Sequence, residues 1–334
     1  MNRRDTLIAL LALGATAAPR IATSQTSPSM PTLGFLSQGA APTTGELDRT
    51  PVSAGLKELG WVEGKNIRIE RAYADKKYER LAVLAEELVR KKVDIIYAQG
   101  PDAALAAARA TKTIPIVFFG PTFPVEMGLV DSYARPGRNA TGVAWSAGVE
   151  VYVKLLEFVK ELAPAAARVA YLRPAPLGRD IGYWTEAART LVSAAKNLGF
   201  ALRVFNVARP EDFDPAFKAI QAWRAQALYS HGTPLTFPEL QRIADFTNAS
   251  RMPSFFDSRS FAEVGGLFSY GPEISQLFVQ SVGHIDRILR GANPATLPVE
   301  MPTRYELFVN LKTAKALGLK IPQSILLRAD RIIE

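Results

Sequence analysis

Hydrophobic positions in this chain alternate between two rhythms. Short continuous apolar runs, such as Ile95-Ile96-Tyr97-Ala98, Ile116-Val117-Phe118-Phe119 and Ala227-Leu228-Tyr229, punctuate the sequence. Runs of that length without polar alternation predict strands covered on both faces. Between them, apolar residues recur three and four positions apart, as Leu81, Leu84, Ala85 and Leu88 do, which predicts amphipathic helices. Strand and helix in strict alternation imply a parallel, doubly wound sheet.

The pattern occurs twice. Gly55-Leu56-Lys57-Glu58-Leu59-Gly60 leads to Asn66-Ile67-Arg68-Ile69-Glu70, a helical stretch over 78–92, and Val93 to Gly100. Likewise Ala194-Ala195-Lys196-Asn197-Leu198-Gly199 leads to Ala201 through Asn206, a helical stretch over 210–224, and Ala227 to Gly232. Gly60 and Gly199 stand where a helix ends in a left-handed residue. A further strand follows each copy, at Ile114–Phe119 and Met252–Phe256. The expected fold class is α/β: two doubly wound Rossmann-like lobes joined by a multi-strand hinge. The expected division places residues 31–142 with 271–302 in an N-terminal lobe, and 143–270 with 303–334 in a C-terminal lobe. The turn-forming segments near Thr141–Val143 and Gly266–Gly271 are the expected hinge.

The first 24 residues read differently. Met1-Asn2-Arg3-Arg4-Asp5 precedes an apolar stretch from Leu7 to Ala15, then small residues at Ala15-Thr16-Ala17 and Ala22-Thr23-Ser24. These are the parts of a secretory signal peptide, so residues 1–24 are expected to be removed on export to the periplasm. Arg3-Arg4 leaves the general and twin-arginine routes both open. No apolar run reaches the roughly 20 residues of a membrane-spanning helix.

Composition narrows the chemistry. The 334 residues include no cysteine and two histidines. Disulfides, thiol catalysis, Cys-ligated metals, a lipid-modified cysteine and a His-rich metal site are thereby excluded. The net charge of +8 is spread among acids, without the clustering of a nucleic-acid surface. No nucleophile elbow, phosphate loop or dinucleotide fingerprint appears. No catalytic residue, cofactor or metal is therefore assigned, and a monomer is expected.

In open α/β sheets, ligands bind outside the C-terminal ends of strands, and two lobes make two such edges facing one cleft. From the first lobe, this places Ser37 and Gln38, then Gln99, Gly100 and Asp102, then Phe119, Gly120, Thr122 and Phe123 at the candidate site. Trp145 and Ser146 follow the first crossover. The second lobe contributes Arg173, His231, Thr233 and Asp257. Asp102 also fits a plain helix cap, Trp145 simple packing, and Arg173 a surface ion pair. Backbone N–H groups at the helix start after Gly100 suit an acceptor.

Several segments in order resemble a known family: Gly34-Phe35-Leu36-Ser37, Leu56 through Asn66, Pro124-Val125-Glu126-Met127-Gly128-Leu129-Val130, Arg135-Pro136-Gly137, Gly265 through Gly271, and Asn310 through Leu319. The family is that of ABC transporter substrate-binding proteins related to tryptophan- and phenylalanine-binding receptors, and the likeness spans about residues 31–334. It implies the type 1 periplasmic-binding fold, capture of a small molecule in the interlobe cleft, and delivery to a membrane permease. Phe123 stands where the family usually has Asp, and Arg173-Pro174-Ala175-Pro176 where it often has Asn-Pro. Losing an acid and gaining a cation shifts the expectation from an ordinary amino acid to an aromatic body bearing a carboxylate or other acceptor. A ligand sensor for a membrane signalling protein and a secreted enzyme using the same cleft are the alternatives.

Overall fold

The computed structural model describes residues 30–42, 50–75, 77–174 and 182–334, with the backbone alone over 182–186; the leader of residues 1–24 and the Ala175-Pro176 pair lie outside them. Five strands form the first sheet: β1 (Thr32–Ser37), β2 (Arg68–Tyr73), β3 (Ile95–Gln99), β4 (Ile116–Phe119) and β5 (Ala140–Val143). They run parallel in the order β2-β1-β3-β4-β5. Helices α1 (Pro51–Glu58), α2 (Leu81–Arg90) and α3 (Pro101–Ala110) make the crossovers. The apolar stripe of α2 buries Leu81, Ala85 and Leu88 against Leu36, Ile96 and Phe118.

The second sheet repeats that winding. Its core strands are β6 (Arg168–Pro174), β7 (Ala201–Val207), β8 (Ala227–Ser230), β9 (Ser254–Phe256) and β10 (Phe268–Pro272). Their order, β7-β6-β8-β9-β10, is that of the first sheet strand for strand. Helices α4 (Glu150–Leu162), α5 (Gly182–Asn197), α6 (Phe213–Ala222), α7 (Leu240–Ala249) and α8 (Arg259–Glu263) flank it. Gly60 and Gly199, each just past a helix, take positive φ of 88° and 83°, which avoids the Cβ penalty of the left-handed turn.

The chain then exchanges between sheets. Helix α9 (Ile274–Leu289) follows β10 directly yet buries Leu277, Val282, Ile285 and Ile288 with Leu33, Val52 and Leu56 of the first sheet's core. Residue Glu300 extends that sheet, donating its N–H to Gly142 and accepting from Ala144. The chain returns as β11 (Tyr305–Asn310), antiparallel to β10, then α10 (Leu311–Leu317), α11 (Gln323–Leu326) and an edge strand β12 (Arg331–Ile333). Asn310 caps α10 by accepting from the Thr313 N–H at 3.0 Å. Three crossings thus join the sheets, at 144–149, 272–274 and 301–304. Thr141–Val143 and Gly266–Gly271, where the turn residues led us to expect bending, lie largely within β5 and β10. The backbone of Gly142 leaves no room for a side chain, since a Cβ there would sit 2.1 Å from the Phe118 carbonyl oxygen. Among the described residues, no helix is long and apolar enough to cross a membrane.

Candidate functional site

Both sheets turn their strand C-termini toward one cavity of about 540 Å³, a volume typical of small-molecule sites. In sheets of this winding, the gap between the first and third strands is where a crevice opens, because their crossovers leave in opposite directions. In the first sheet that gap lies between β1 and β3, and Ser37, Gln38, Gln99 and Gly100 line the cavity there. The Ser37 hydroxyl accepts from the Gly39 N–H at 3.1 Å and donates to Gln99 Oε1 at 3.0 Å. That relay leaves the Gln99 amide NH₂ as a donor. Gln38 is buried beside it, its Oε1 accepting from the Asp102 N–H at 3.3 Å. A Cβ on Gly100 would lie 2.0 Å from that oxygen, so the glycine lets the Gln38 side chain cap α3.

Aromatic rings supply most of the remaining wall. Phe119, at the end of β4, stacks on Phe278 of α9 with centroids 4.4 Å apart and planes 15° apart. It meets Trp145 edge-on at 6.4 Å, and Trp145 meets Phe237 at 5.9 Å. Phe237 follows β8, so a ring of the second lobe packs against the first lobe's core. Ile274, one turn before Phe278, completes the α9 side.

The second sheet brings titratable groups that burial has neutralised or engaged. The carboxylate of Asp257, just past β9, accepts from the Trp145 indole N–H at 3.1 Å and from the Gly232 N–H. Burial pushes its carboxyl up to about 6, although both hydrogen bonds pull the other way. His231 is buried too, with Nδ1 3.0 Å from the Tyr171 hydroxyl. Desolvation holds its imidazole down to about 3, and the Arg173 guanidinium acts in the same direction. Behind His231, the Tyr152 ring lies 5.7 Å away, and the Tyr152 hydroxyl is 3.4 Å from Thr122 Oγ1 of the first lobe. Burial raises the Tyr152 phenol well above its ordinary value. Among the described residues, no group of three or more His, Asp or Glu side chains is arranged to hold a metal.

The structure gathers ten of the residues expected from strand ends on the cavity wall: Ser37, Gln38, Gln99, Gly100, Phe119, Gly120, Thr122, Trp145, His231 and Thr233. Five others lie off it. Asp257 stands behind Trp145 and Gly232. Ser146 turns its hydroxyl to the Gly148 carbonyl at 3.1 Å, and Asp102 sits in the first turn of α3. Phe123 reaches across and packs in the second lobe's core beside Tyr152 and Leu155. Arg173 is the clearest departure. Its Nε donates to Asn206 of β7 at 2.7 Å, and it borders a separate open depression with Arg189 and Lys196. A strand end fixes position along the strand, but the face is set by the pleat, and Arg173 falls on the α5 face.

Reading the strand ends missed Phe237, Ile274 and Phe278. The α9 pair was hidden because an amphipathic helix after the duplication reads as core packing. The signal was its place directly after β10, the fifth strand of the second copy, where Trp145 follows the fifth strand of the first.

Comparison with known proteins places the chain. The sequence model for the family described as ABC transporter substrate binding protein matches residues 46–333. The tyrosine-binding protein of Clostridioides difficile (strain R20291) is 25% identical over 271 residues, covering 79% of this chain and 74% of that protein. The crystal structure of a conserved domain protein from Vibrio cholerae O1 biovar El Tor is 27% identical, with a TM-score of 0.80 over 91% of this chain and 99% of that one. That of an ABC domain in complex with L-Trp, from Streptococcus pneumoniae, is 23% identical, with a TM-score of 0.80 over 91% and 100%.

Proposed function

Since the chain belongs to the ABC transporter substrate binding protein family and has the type 1 periplasmic-binding fold, we propose that it is the exported solute receptor of a bacterial ABC importer. It captures a small aromatic-bodied molecule between its two lobes and presents it to a membrane permease. One observation carries this reading: a cavity of about 540 Å³ walled from both lobes by Phe119, Trp145, Phe237 and Phe278, with a few hydrogen-bonding side chains among them. Stacked and edge-on rings at these distances favour a flat π-system in the remaining space. The tyrosine-binding relative and the L-Trp complex support an aromatic body.

The interlobe contacts support closure about the crossings at 144–149, 272–274 and 301–304. Trp145 bonds Asp257 across the cleft, and the Ala147 N–H donates to the Tyr305 hydroxyl at 3.0 Å. A ligand touching both edges stabilises the arrangement in which they face each other. The importer then reads that closed form. No catalytic residue is assigned.

The test is denaturation of the purified protein followed by mass spectrometry of what it releases, then incubation with those molecules. The expected result is stoichiometric retention of one aromatic solute, unchanged, and loss of its uptake in cells lacking the receptor. Chemical conversion of the solute by the purified chain would contradict the receptor reading.

A further inference from the structure

We propose that the solute is uncharged when bound: an aromatic body bearing a hydrogen-bond acceptor, not an amino-acid zwitterion. This rests on the cavity being the receptor's ligand site. Among the described residues no Asp, Glu, Lys or Arg lines it, and Asp257 and Arg173, the charged strand-end residues expected there from the second lobe, are engaged elsewhere. Asp257 gives its oxygens to Trp145 and Gly232. Arg173 binds Asn206 on another face of the sheet. The first turn of α3, the natural seat for a carboxylate, has its Asp102 N–H taken by Gln38 Oε1.

A zwitterion brings two charges, and each loses water on entering such a cavity. An ammonium group carries three donors and a full charge, but no carboxylate stands among the described lining residues. Gln99 Oε1 and Gln38 Oε1 each already accept one bond, from Ser37 and from the Asp102 N–H, which leaves each a single lone pair. What the wall offers is the opposite polarity. The relay from the Gly39 N–H through Ser37 to Gln99 Oε1 fixes the Gln99 amide so that its NH₂ group donates. A carbonyl, amide or hydroxyl oxygen on the solute meets that donor, and its ring rests among Phe119, Trp145, Phe237 and Phe278.

The probes are two ring series, indole and 4-hydroxyphenyl, each as acetamide, acetate, ethylamine and amino acid. Calorimetry on the exported chain, freed of co-purifying molecules, compares their affinities. In at least one series the acetamide is expected to bind tenfold or more tighter than its charged counterparts. Gln99→Leu is expected to cost that acetamide about tenfold, and Gln99→Glu to improve the ethylamine relative to it. L-Tryptophan or L-tyrosine binding as tightly as the matching acetamide would overturn the inference while leaving the aromatic receptor intact. Binding of no probe in either series would overturn that receptor reading, and this inference with it.

Discussion

Two sheets wound in the same strand order present unlike edges to one cavity. At the end of its first strand the first sheet has Ser37, turned inward onto Gln99, whereas the second has Arg173, turned outward onto Asn206. After the third strand stand Gln99 and His231. At the end of the fourth, the first sheet contributes Phe119, whose ring lines the cavity, and the second the buried Asp257, which does not. The third and fifth strands agree in position, since Gln99 and His231, and Trp145 and Ile274, all line the cavity. The first edge is a surface made for contact, with an oriented amide and stacked rings. The second is a buried polar network, His231–Tyr171 and Asp257–Trp145, that holds the wall in place. Duplication reproduces backbone winding; the side chains at each strand end then carry different work.

The largest expected effect lies in that second network. Asp257→Ala leaves the Trp145 indole N–H and the Gly232 N–H without their acceptor in a dry interior. At about 1–3 kcal/mol for each orphaned donor, denaturant unfolding should show a loss of about 2–6 kcal/mol. A loss below about 1 kcal/mol would mean the two lobes do not depend on this clasp.

On the first edge, the expected cost falls on binding. Phe278→Ala removes the ring stacked on Phe119, and affinity for the tightest aromatic probe should fall about tenfold, or 1.4 kcal/mol. Calorimetry on a variant confirmed as folded measures it. Equal affinity would take α9 out of the ligand site.

Acid separates the two buried titrating groups of the second edge. His231 is held down from 6.5 to about 3, so its contribution to stability is complete above pH 6.5 and is lost as pH falls through 3. Asp257 is pushed up from 3.8 to about 6, so its contribution is complete below pH 3.8 and is lost as pH rises through 6. Between about pH 4 and 6 the two slopes oppose each other. Asp257→Asn should therefore make the melting temperature fall more steeply than in the native protein as pH drops from 6 to 4. His231→Gln should tilt the same profile the other way. Parallel profiles for the three proteins would show that these groups do not titrate as their burial demands.

The smallest effect is expected at Arg173. Arg173→Ala should change probe affinity less than twofold and stability by no more than about 0.5 kcal/mol, as for other surface substitutions. A tenfold loss would return its guanidinium to the cleft.

Much of this was legible in the sequence. Short apolar runs alternating with helical stripes gave the doubly wound class, and repetition around Gly60 and Gly199 gave two lobes. Strand ends located Ser37, Gln99, Phe119 and His231, because the crevice of such a sheet follows from its winding. What the pattern withheld was which face each strand-end side chain takes. Arg173 and Phe123 show this: one follows the pleat to the α5 face, and the other reaches from a loop into the opposite core. The aromatic wall from α9 was hidden for another reason. The expected division already put residues 271–302 in the N-terminal lobe, but the apolar stripe of an amphipathic helix reads as core packing and does not show that Ile274 and Phe278 reach the cavity.

The central claim is that a small aromatic solute is held between two lobes that close on it. Small-angle X-ray scattering of the exported chain, alone and saturated with its tightest aromatic ligand, tests this directly. The account predicts a smaller radius of gyration with ligand, accompanied by stabilisation of about 2.7 kcal/mol at 100 times the dissociation constant. Saturation by a tight ligand with an unchanged scattering curve would contradict it.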